Sequence, residues 1–510
     1  MNILPVILLL AIGQASIERI EWQGDKISVH YQAKNQEVEL RELGIEAEFE
    51  KSAGTIVQDI SQREKGLFVL PSLSRETNGF FLTNKNGIKL TGLKFPTQWL
   101  AKTDPETGLV QNLGIKGLQV QMMDDALILG VHHAAFNLNL ASLLRIPPDP
   151  KDKTFEADGI KVGIRQEVID SLPIKLCQER GIRAYVIVLA YRSGNAAIDK
   201  LLLHPSMSEN APNNLGAFNT ATIGGVQAFK TIMDHLCINY SKPVEGRGTV
   251  AGWIIGNEVN AHYQWYNRGP SSESEVVSDY HKALRIAHGS LKRSGGPGRI
   301  YTSLEHHWAM RPGTNVKRSM PGKLFLKELV EKSEAGGNFD WHLAYHPYPE
   351  NLFEPRSWLD KSALANLDSP KITFRNLEQI VAWSKQQENL SAGKPRRIIL
   401  SEQGFHGPPG VVGESNQAAG YVYGYKKASR NEGIDAFILH RQVDHAKEGG
   451  LLLGLWSHKP DSVSTPLAKK LIWQVFRDAG TAEELKTFEK YKTIIGPTTW
   501  EEIYPSSKGS

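Results

Sequence analysis

The stretch Gly252–Asn260, GWIIGNEVN, starts as a β-strand and ends in an acid. Its apolar run Trp253-Ile254-Ile255 delivers Asn257 and Glu258 to the strand's own end, where a charge is costly to bury unless something pairs or uses it. Working outward from this segment, the chain shows a repeating pattern. From about residue 114 onward, short apolar strands alternate with helical stretches, and eight such strands can be counted. They read GIKGLQV (114–120), VHHAAFNLNL (131–140), IRAYVIVLA (182–190), GWIIGNEVN (252–260), RIYTSLEHHW (299–308), FDWHLAYHPY (339–348), RRIILSEQGF (396–405) and IDAFILHRQVDH (434–445). The intervening segments, such as GGVQAFKTIMDHLCINY and SEVVSDYHKALRIAHGSLKRSG, carry apolar residues at helical spacing, and Gly follows the last turn of the second. Continuous apolar strands separated by helices imply a parallel sheet covered on its outer face, and eight units imply an α/β fold of the (β/α)8 TIM barrel type. The competing doubly wound sheet lacks support, because no Gly-rich phosphate turn follows an early strand.

Ahead of the barrel, residues 16–105 alternate apolar and polar in runs such as KISVHYQ and GLFVLP. Asn-Gly turns at Asn78-Gly79 and Asn86-Gly87 interrupt them. These are hairpin signals, and they predict a small β-sandwich-like accessory domain. The first 15 residues, with an apolar core from Ile3 to Ile12 and small Gly13 and Ala15, read as a cleaved signal peptide, so a secreted or periplasmic protein is expected. The catalytic barrel is expected over 106–480, with a C-terminal tail over 481–510. No segment is long and apolar enough to read as a membrane span. Lys and Arg number 59 against 55 Asp and Glu, and no basic block is interleaved with aromatics, so nucleic acid is not an expected partner. Cys177 and Cys237 are too few for a disulfide framework; they read as two buried thiols, with one bridge as the alternative.

In a barrel of this type the chemistry sits at the C-terminal ends of the strands. There the sequence places Asn137 and Asn139 on strand two, Asn257, Glu258 and Asn260 on strand four, and His306, His307 and Trp308 on strand five. Strand six ends in His346 and Tyr348, strand seven in Glu402 and Gln403, and strand eight in His440, Arg441, Asp444 and His445. Amides, imidazoles, aromatics and two glutamates suit a carbohydrate. Glycoside hydrolysis needs one carboxylic acid to protonate the leaving oxygen and one carboxylate across the anomeric carbon. Glu258 and Glu402, on strands four and seven, face each other across one barrel mouth in this reading. A carboxylate separation of about 5–5.5 Å is then expected for a retaining enzyme, and a wider one for an inverting enzyme.

The motifs WIIGNEVN, AYHPYPENL with the later ITFRNLE, IILSEQGF, and ILHRQVDHAKEGGLLLGLW resemble the clan A (4/7-type) retaining glycoside hydrolases. Within that superfamily they are similar to an uncharacterised branch classed as a domain of unknown function. The resemblance covers about residues 114–480. It implies Glu258 as general acid/base, Glu402 as nucleophile, Asn257 as partner of the sugar 2-hydroxyl, and Tyr348 or His346 as the residue that holds the nucleophile. Many clan members also place an Arg near the nucleophile on strand two, where this chain has Asn137 and Asn139.

The expected function is a retaining glycosidase acting on O-glycosidic bonds of an oligo- or polysaccharide by double displacement. Its alternatives are a non-catalytic carbohydrate-binding protein on a barrel scaffold, or a transglycosylase. Trp265, Trp308 and Trp456 lie just beyond strand ends, where an indole can stack on a sugar or pack the rim. Asp444 and Glu448 are candidates for substrate hydroxyls, with simple pairing to Arg441 and Lys447 as the alternative, and Arg441 is itself a candidate on the substrate side. The scattered histidines show no metal-ligand spacing, and neither metal nor cofactor is expected. His132 and His133 must point to opposite faces of strand two and read as structural. Long connections at 141–164, 191–219 and 349–374 leave the catalytic face and are expected to wall the cleft, with Arg356 and Trp358 as candidates to reach substrate.

Overall fold

The computed structural model describes residues 15–34, 36–60, 65–72, 75–99, 104–111, 114–241 and 246–504. The leader segment therefore lies outside the described residues, save for Ala15. The chain divides into two compact units, Met1–Lys102 with Glu331–Phe339, and Thr103–Val330 with Asp340–Ser510.

The larger unit contains a closed barrel of eight parallel strands: Lys116–Gln119, His133–Asn139, Arg183–Tyr191, Val250–Ile255, Arg299–Glu305, Trp341–His346, Ile398–Leu400 and Ile434–Leu439. Each strand pairs with its successor, and the eighth pairs with the first, Phe437 opposite Lys116. The sequence count of eight is met, with the strands trimmed at their ends. Strand seven is only Ile398–Leu400, because Ser401–Phe405 leaves the ladder. There Gln403 donates from its amide to the Ile438 carbonyl, and its own carbonyl accepts from the His440 N–H.

Alternation along the strands sorts side chains to lumen and exterior. Ala135, Tyr185, Ile187, Leu189, Tyr301, Ala344, Ile399, Ala436 and Ile438 form one buried cluster in the lumen. The same parity carries Gln119, Asn137, Ser303, Glu305, His346 and His440 to its upper end. Gly252 keeps the lumen open to aromatics: a Cβ there would meet the rings of Tyr301 and Tyr185 at 2.6 and 2.7 Å. Helix Ile223–Asn239 is capped by Thr222, and helix Glu273–Ser294 by a capping box of Ser272 and Glu275; the latter ends at Gly295 with φ +68°.

The smaller unit is built from two sheets. One is ordered Lys65–Pro71, Lys26–Gln32, Ser16–Trp22, Gln98–Trp99, and the other Thr55–Ile60, Val38–Leu43, Gly79–Thr83. Ile20, Val29 and Phe68 of the first and Val38, Leu40 and Phe80 of the second share one buried core, as a sandwich requires.

The long connections carry more structure than their sequences suggest. Residues 141–164 form a three-stranded antiparallel sheet, and 191–219 contain helix Ala196–Leu202 and a strand, Leu215–Gly216, paired with barrel strand three. Polar caps and hairpin turns satisfy the backbone there, so no extended coil is needed. In the 349–374 connection Arg356 is held by both oxygens of Glu354, and Trp358 packs on Tyr423. Cys177 and Cys237 are buried free thiols, and burial pushes both above the ordinary thiol range, Cys177 to about 12. His133 is buried between Tyr185 and the Gly114 carbonyl, as its inward parity requires.

Candidate active site

The end of strand four is bent by two conformational exceptions on either side of Asn257. Gly256 adopts φ +79°, and a Cβ there would meet the Tyr266 ring at 2.9 Å. Glu258 itself is left-handed, with φ 40° and ψ 53°. For a glutamate this conformation costs on the order of 1 kcal/mol or more, so neighbours must hold it. Its N–H donates to Ser303 Oγ at 3.1 Å, and Tyr280 donates from its hydroxyl to the Ile255 carbonyl at 2.7 Å. The strained turn carries the Glu258 carboxyl to His346 on strand six, where Oε1 lies 3.0 Å from Nδ1.

Glu402 occupies the end of strand seven. Tyr348 donates to its Oε1 at 3.2 Å, and Gln119 donates to its Oε2 at 3.3 Å. One carboxylate oxygen each of Glu258 and Glu402 and a ring nitrogen of His346 lie within 4.8 Å of one another. Thus residues from strands one, four, six and seven converge at one point of the mouth.

The environments of the two carboxyls differ. Burial, with only 8% of Glu258 exposed, pushes its carboxyl above the ordinary value of 4.5, and the charges of Glu402 and Glu305 add to the shift against the His346 hydrogen bond. Burial also opposes ionisation of Glu402, but His440, His346, Gln119 and Tyr348 outweigh it and hold this carboxyl below 4.5. Burial disfavours a charged His346, yet the hydrogen bond to Glu258 and the charges of Glu402, Glu258 and Glu305 raise its proton affinity. Burial and the neighbouring charges thus favour a proton on the Glu258–His346 pair and ionisation of Glu402. Behind His346, Nε2 faces the hydroxyls of Ser303 at 3.3 Å and Ser401 at 3.0 Å.

The other sequence candidates are distributed as follows. Asn257 is half-buried beside Glu258, and exposed Asn137 lines a cavity of about 300 Å³ with Gln119, Gln121, Arg441 and Gln442. Trp265 is half-buried against the lumen cluster. His306 is buried, with neither ring nitrogen hydrogen-bonded. Arg441 pairs with Glu448. Three candidates are engaged inside the fold. Asn139 caps the helix Leu140–Leu143 and binds the Tyr191 N–H; Asp444 is buried against Lys470 and the Gly454 N–H; the Trp456 indole donates to Asp125 at 2.9 Å. Trp308 is fully buried, donating to the Leu367 carbonyl and packing on Trp383, so its role is in the core.

Sequence reasoning passed over Gln119, Ser303, Glu305 and Ser401. Inward parity with Gly117 and Tyr301 was the available signal for the first three. Glu305 is buried, accepts from Asn260 Nδ2 at 2.6 Å and from His307, and is held at about 2 despite burial, chiefly by the histidines beside it. Glu305, His306 and His307, and Glu258, His346 and Glu402, are the two groups of metal-type donors gathered this closely among the described residues. In each the carboxylates already accept hydrogen bonds from neighbouring side chains.

Residues 109–503 match the model of DUF5722, a family of unknown function. The chain belongs to this family. No curated protein matches this DUF5722 member in sequence. Among solved structures it is similar to a family 39 glycoside hydrolase from Bacteroides cellulosilyticus WH2, at 13% identity and TM-score 0.45 over 91% of this chain and 81% of that one. A family 1 β-glucosidase from Thermotoga maritima matches at 14% identity and TM-score 0.44 over 72% and 86%. A β-glucuronidase from Bacteroides uniformis matches at 11% identity and TM-score 0.40; it covers 91% of this chain, which spans about half of that enzyme, 49%.

Proposed function

We propose that this DUF5722 protein is a retaining glycoside hydrolase, with Glu402 as nucleophile and Glu258 as general acid/base. The observation that carries the reading is the carboxyl pair: two glutamates from strands four and seven, oxygens within 4.8 Å, with environments that push their proton affinities apart. Oxygens this close fit the short carboxyl separation of retaining enzymes better than the wider one of inverting enzymes.

In the first step bare Glu402 attacks the anomeric carbon while the proton held by Glu258 and His346 passes from Glu258 to the departing oxygen. The covalent intermediate removes the Glu402 charge, so Glu258 is left ionised after giving up its proton; it then takes a proton from water as the water oxygen bonds to the anomeric carbon and the bond to Glu402 breaks, releasing the carboxylate. Tyr348 and Gln119, both on Glu402, hold the nucleophile in place between steps. Asn257, adjacent to Glu258, is assigned to the sugar 2-hydroxyl, and Asn137, Trp265, His306 and Arg441 to the walls of the sugar site. The apolar leader supports export to a secreted or periplasmic location.

The test is turnover of a panel of nitrophenyl glycosides, with the anomer of the first-formed product read by proton NMR. Retention supports the assignment. Inversion, or glycan binding without turnover, overturns it; transfer to an added alcohol with retention would make the protein a transglycosylase using the same two residues.

A further inference from the structure

The end of strand two carries Asn137 and Asn139 and no cation, so the charge beside Glu402 must come from elsewhere. The structure assigns another source of positive charge. We propose that His440, on strand eight, is a positioning residue whose doubly protonated ring acts on Glu402 through Gln119, with Glu448 as its counter-ion. This inference rests on the glycosidase reading for the role of Glu402, but the state of the ring can be tested without it.

Hydrogen-bond direction carries the proposal. The Gln119 amide nitrogen faces two acceptors, Glu402 Oε2 at 3.3 Å and the Ser401 carbonyl at 3.4 Å. Its carbonyl oxygen therefore points the other way, to His440 Nδ1 at 2.7 Å, and that contact exists only if Nδ1 carries a hydrogen. The opposite ring nitrogen, Nε2, lies 2.8 Å from Glu448 Oε1. The same Glu448 oxygen accepts from the Arg441 guanidinium, which marks it as a carboxylate acceptor, so Nε2 carries a hydrogen as well. A ring that donates from both nitrogens is an imidazolium.

The sequence Glu448, His440, Gln119, Glu402 is thus a directed chain in which each member donates toward, or accepts from, the next with no conflict. Its effect on Glu402 is electrostatic and orienting: the cation favours the ionised carboxylate, and the amide fixes the plane of Oε2. The other titratable groups facing Glu402 are His346 and Tyr348 from strand six, Glu258 from strand four and Tyr191 from strand three. Those facing His440 are Glu448, Arg441 and His445 from its own connection. Arg441 also pairs with Glu448, so the counter-ion of His440 is shared with a second cation of the strand-eight connection.

Two measurements test the assignment. Heteronuclear NMR of the histidine ring nitrogens in the full chain at neutral pH, with the His440 signals assigned from their loss in His440→Gln, should show hydrogens on both nitrogens. A ring protonated on one nitrogen overturns the proposal whether or not any glycoside is cleaved. The pH profile of kcat/KM on the best nitrophenyl glycoside should show, for His440→Gln, an acidic limb moved up by roughly one pH unit. A fall in kcat with the limb unmoved would reduce His440 to a packing residue and overturn the charge role. Failure of the wild-type protein to cleave any glycoside in the panel would instead strike the glycosidase reading, leaving the NMR result to decide the state of the ring.

Discussion

His346 and Glu258, on neighbouring sides of the mouth and 88 residues apart in sequence, meet through a 3.0 Å contact between Nδ1 and Oε1. Glu402 stands within 4.8 Å of both. The surroundings raise the proton affinity of the first two and lower that of the third, the division of roles that the proposed double displacement uses at its start.

Replacement of the proposed nucleophile gives the most direct consequence. Glu402→Gln is expected to lower kcat by at least about a thousandfold, since the covalent step is lost. Circular dichroism should remain that of the wild type, because Gln keeps the volume and a hydrogen-bonding carbonyl for Tyr348. Turnover within tenfold of wild type would remove Glu402 from the mechanism.

For Glu258→Ala, loss of the acid should be graded by the leaving group: severe for alkyl glycosides and milder for dinitrophenyl glycosides. Azide should then resolve the intermediate to a glycosyl azide of retained configuration. A variant that azide does not accelerate on an activated substrate would count against the acid/base assignment.

The pH profile of kcat/KM should be a bell whose acidic limb lies below the ordinary glutamate value of 4.5 and whose basic limb lies above it, following the opposite shifts of Glu402 and Glu258. Tyr348→Phe removes a donor to ionised Glu402, so its acidic limb should move to higher pH, with a loss of activity on the order of tenfold. An acidic limb unmoved in this variant would mean that Tyr348 does not act on the nucleophile.

Glu305 links the site to acid stability. Its carboxyl is at about 2 in the fold against 4.5 when free, so its stabilisation is complete above 4.5 and is lost as the pH falls toward 2. That contribution is on the order of 3 kcal/mol. In chemical denaturation, the stability difference between wild type and Glu305→Gln should therefore shrink between about pH 5 and pH 2. A difference independent of pH would show that Glu305 stabilises the fold by packing alone.

Gly256→Ala tests the strained turn. Both φ +79° and the 2.9 Å approach to Tyr266 oppose a Cβ, and a destabilisation of about 1–3 kcal/mol is expected. Activity should fall further than stability, as the turn aims Glu258. Thermal melts and kcat measured on the same preparation separate the two effects.

The architecture was legible because its signals are local. Apolar runs such as Trp253-Ile255, helical periodicity between them and the Asn86-Gly87 turn each depend on a few consecutive residues, whereas Gly79 opens a strand instead of closing a hairpin; eight repeats of one unit leave few topologies open. Glu258 and Glu402 were legible for the same reason: each ends a strand, and strand ends in this fold share one mouth.

What the sequence could not decide is which side chains meet once the barrel closes. Asn139, Asp444 and Trp456 stand at or just beyond strand ends as Asn137 and Asn257 do, yet a helix N-terminus, Lys470 and Asp125 engage them inside the fold. Gln119 and Glu402, 283 residues apart, become partners only because strand eight returns to strand one. The directions of the proton affinities belong to this second class. They depend on burial and on charges brought from four or five different strands, and those distances come into existence with the closed sheet, whereas strand, turn and helix are written in neighbouring residues.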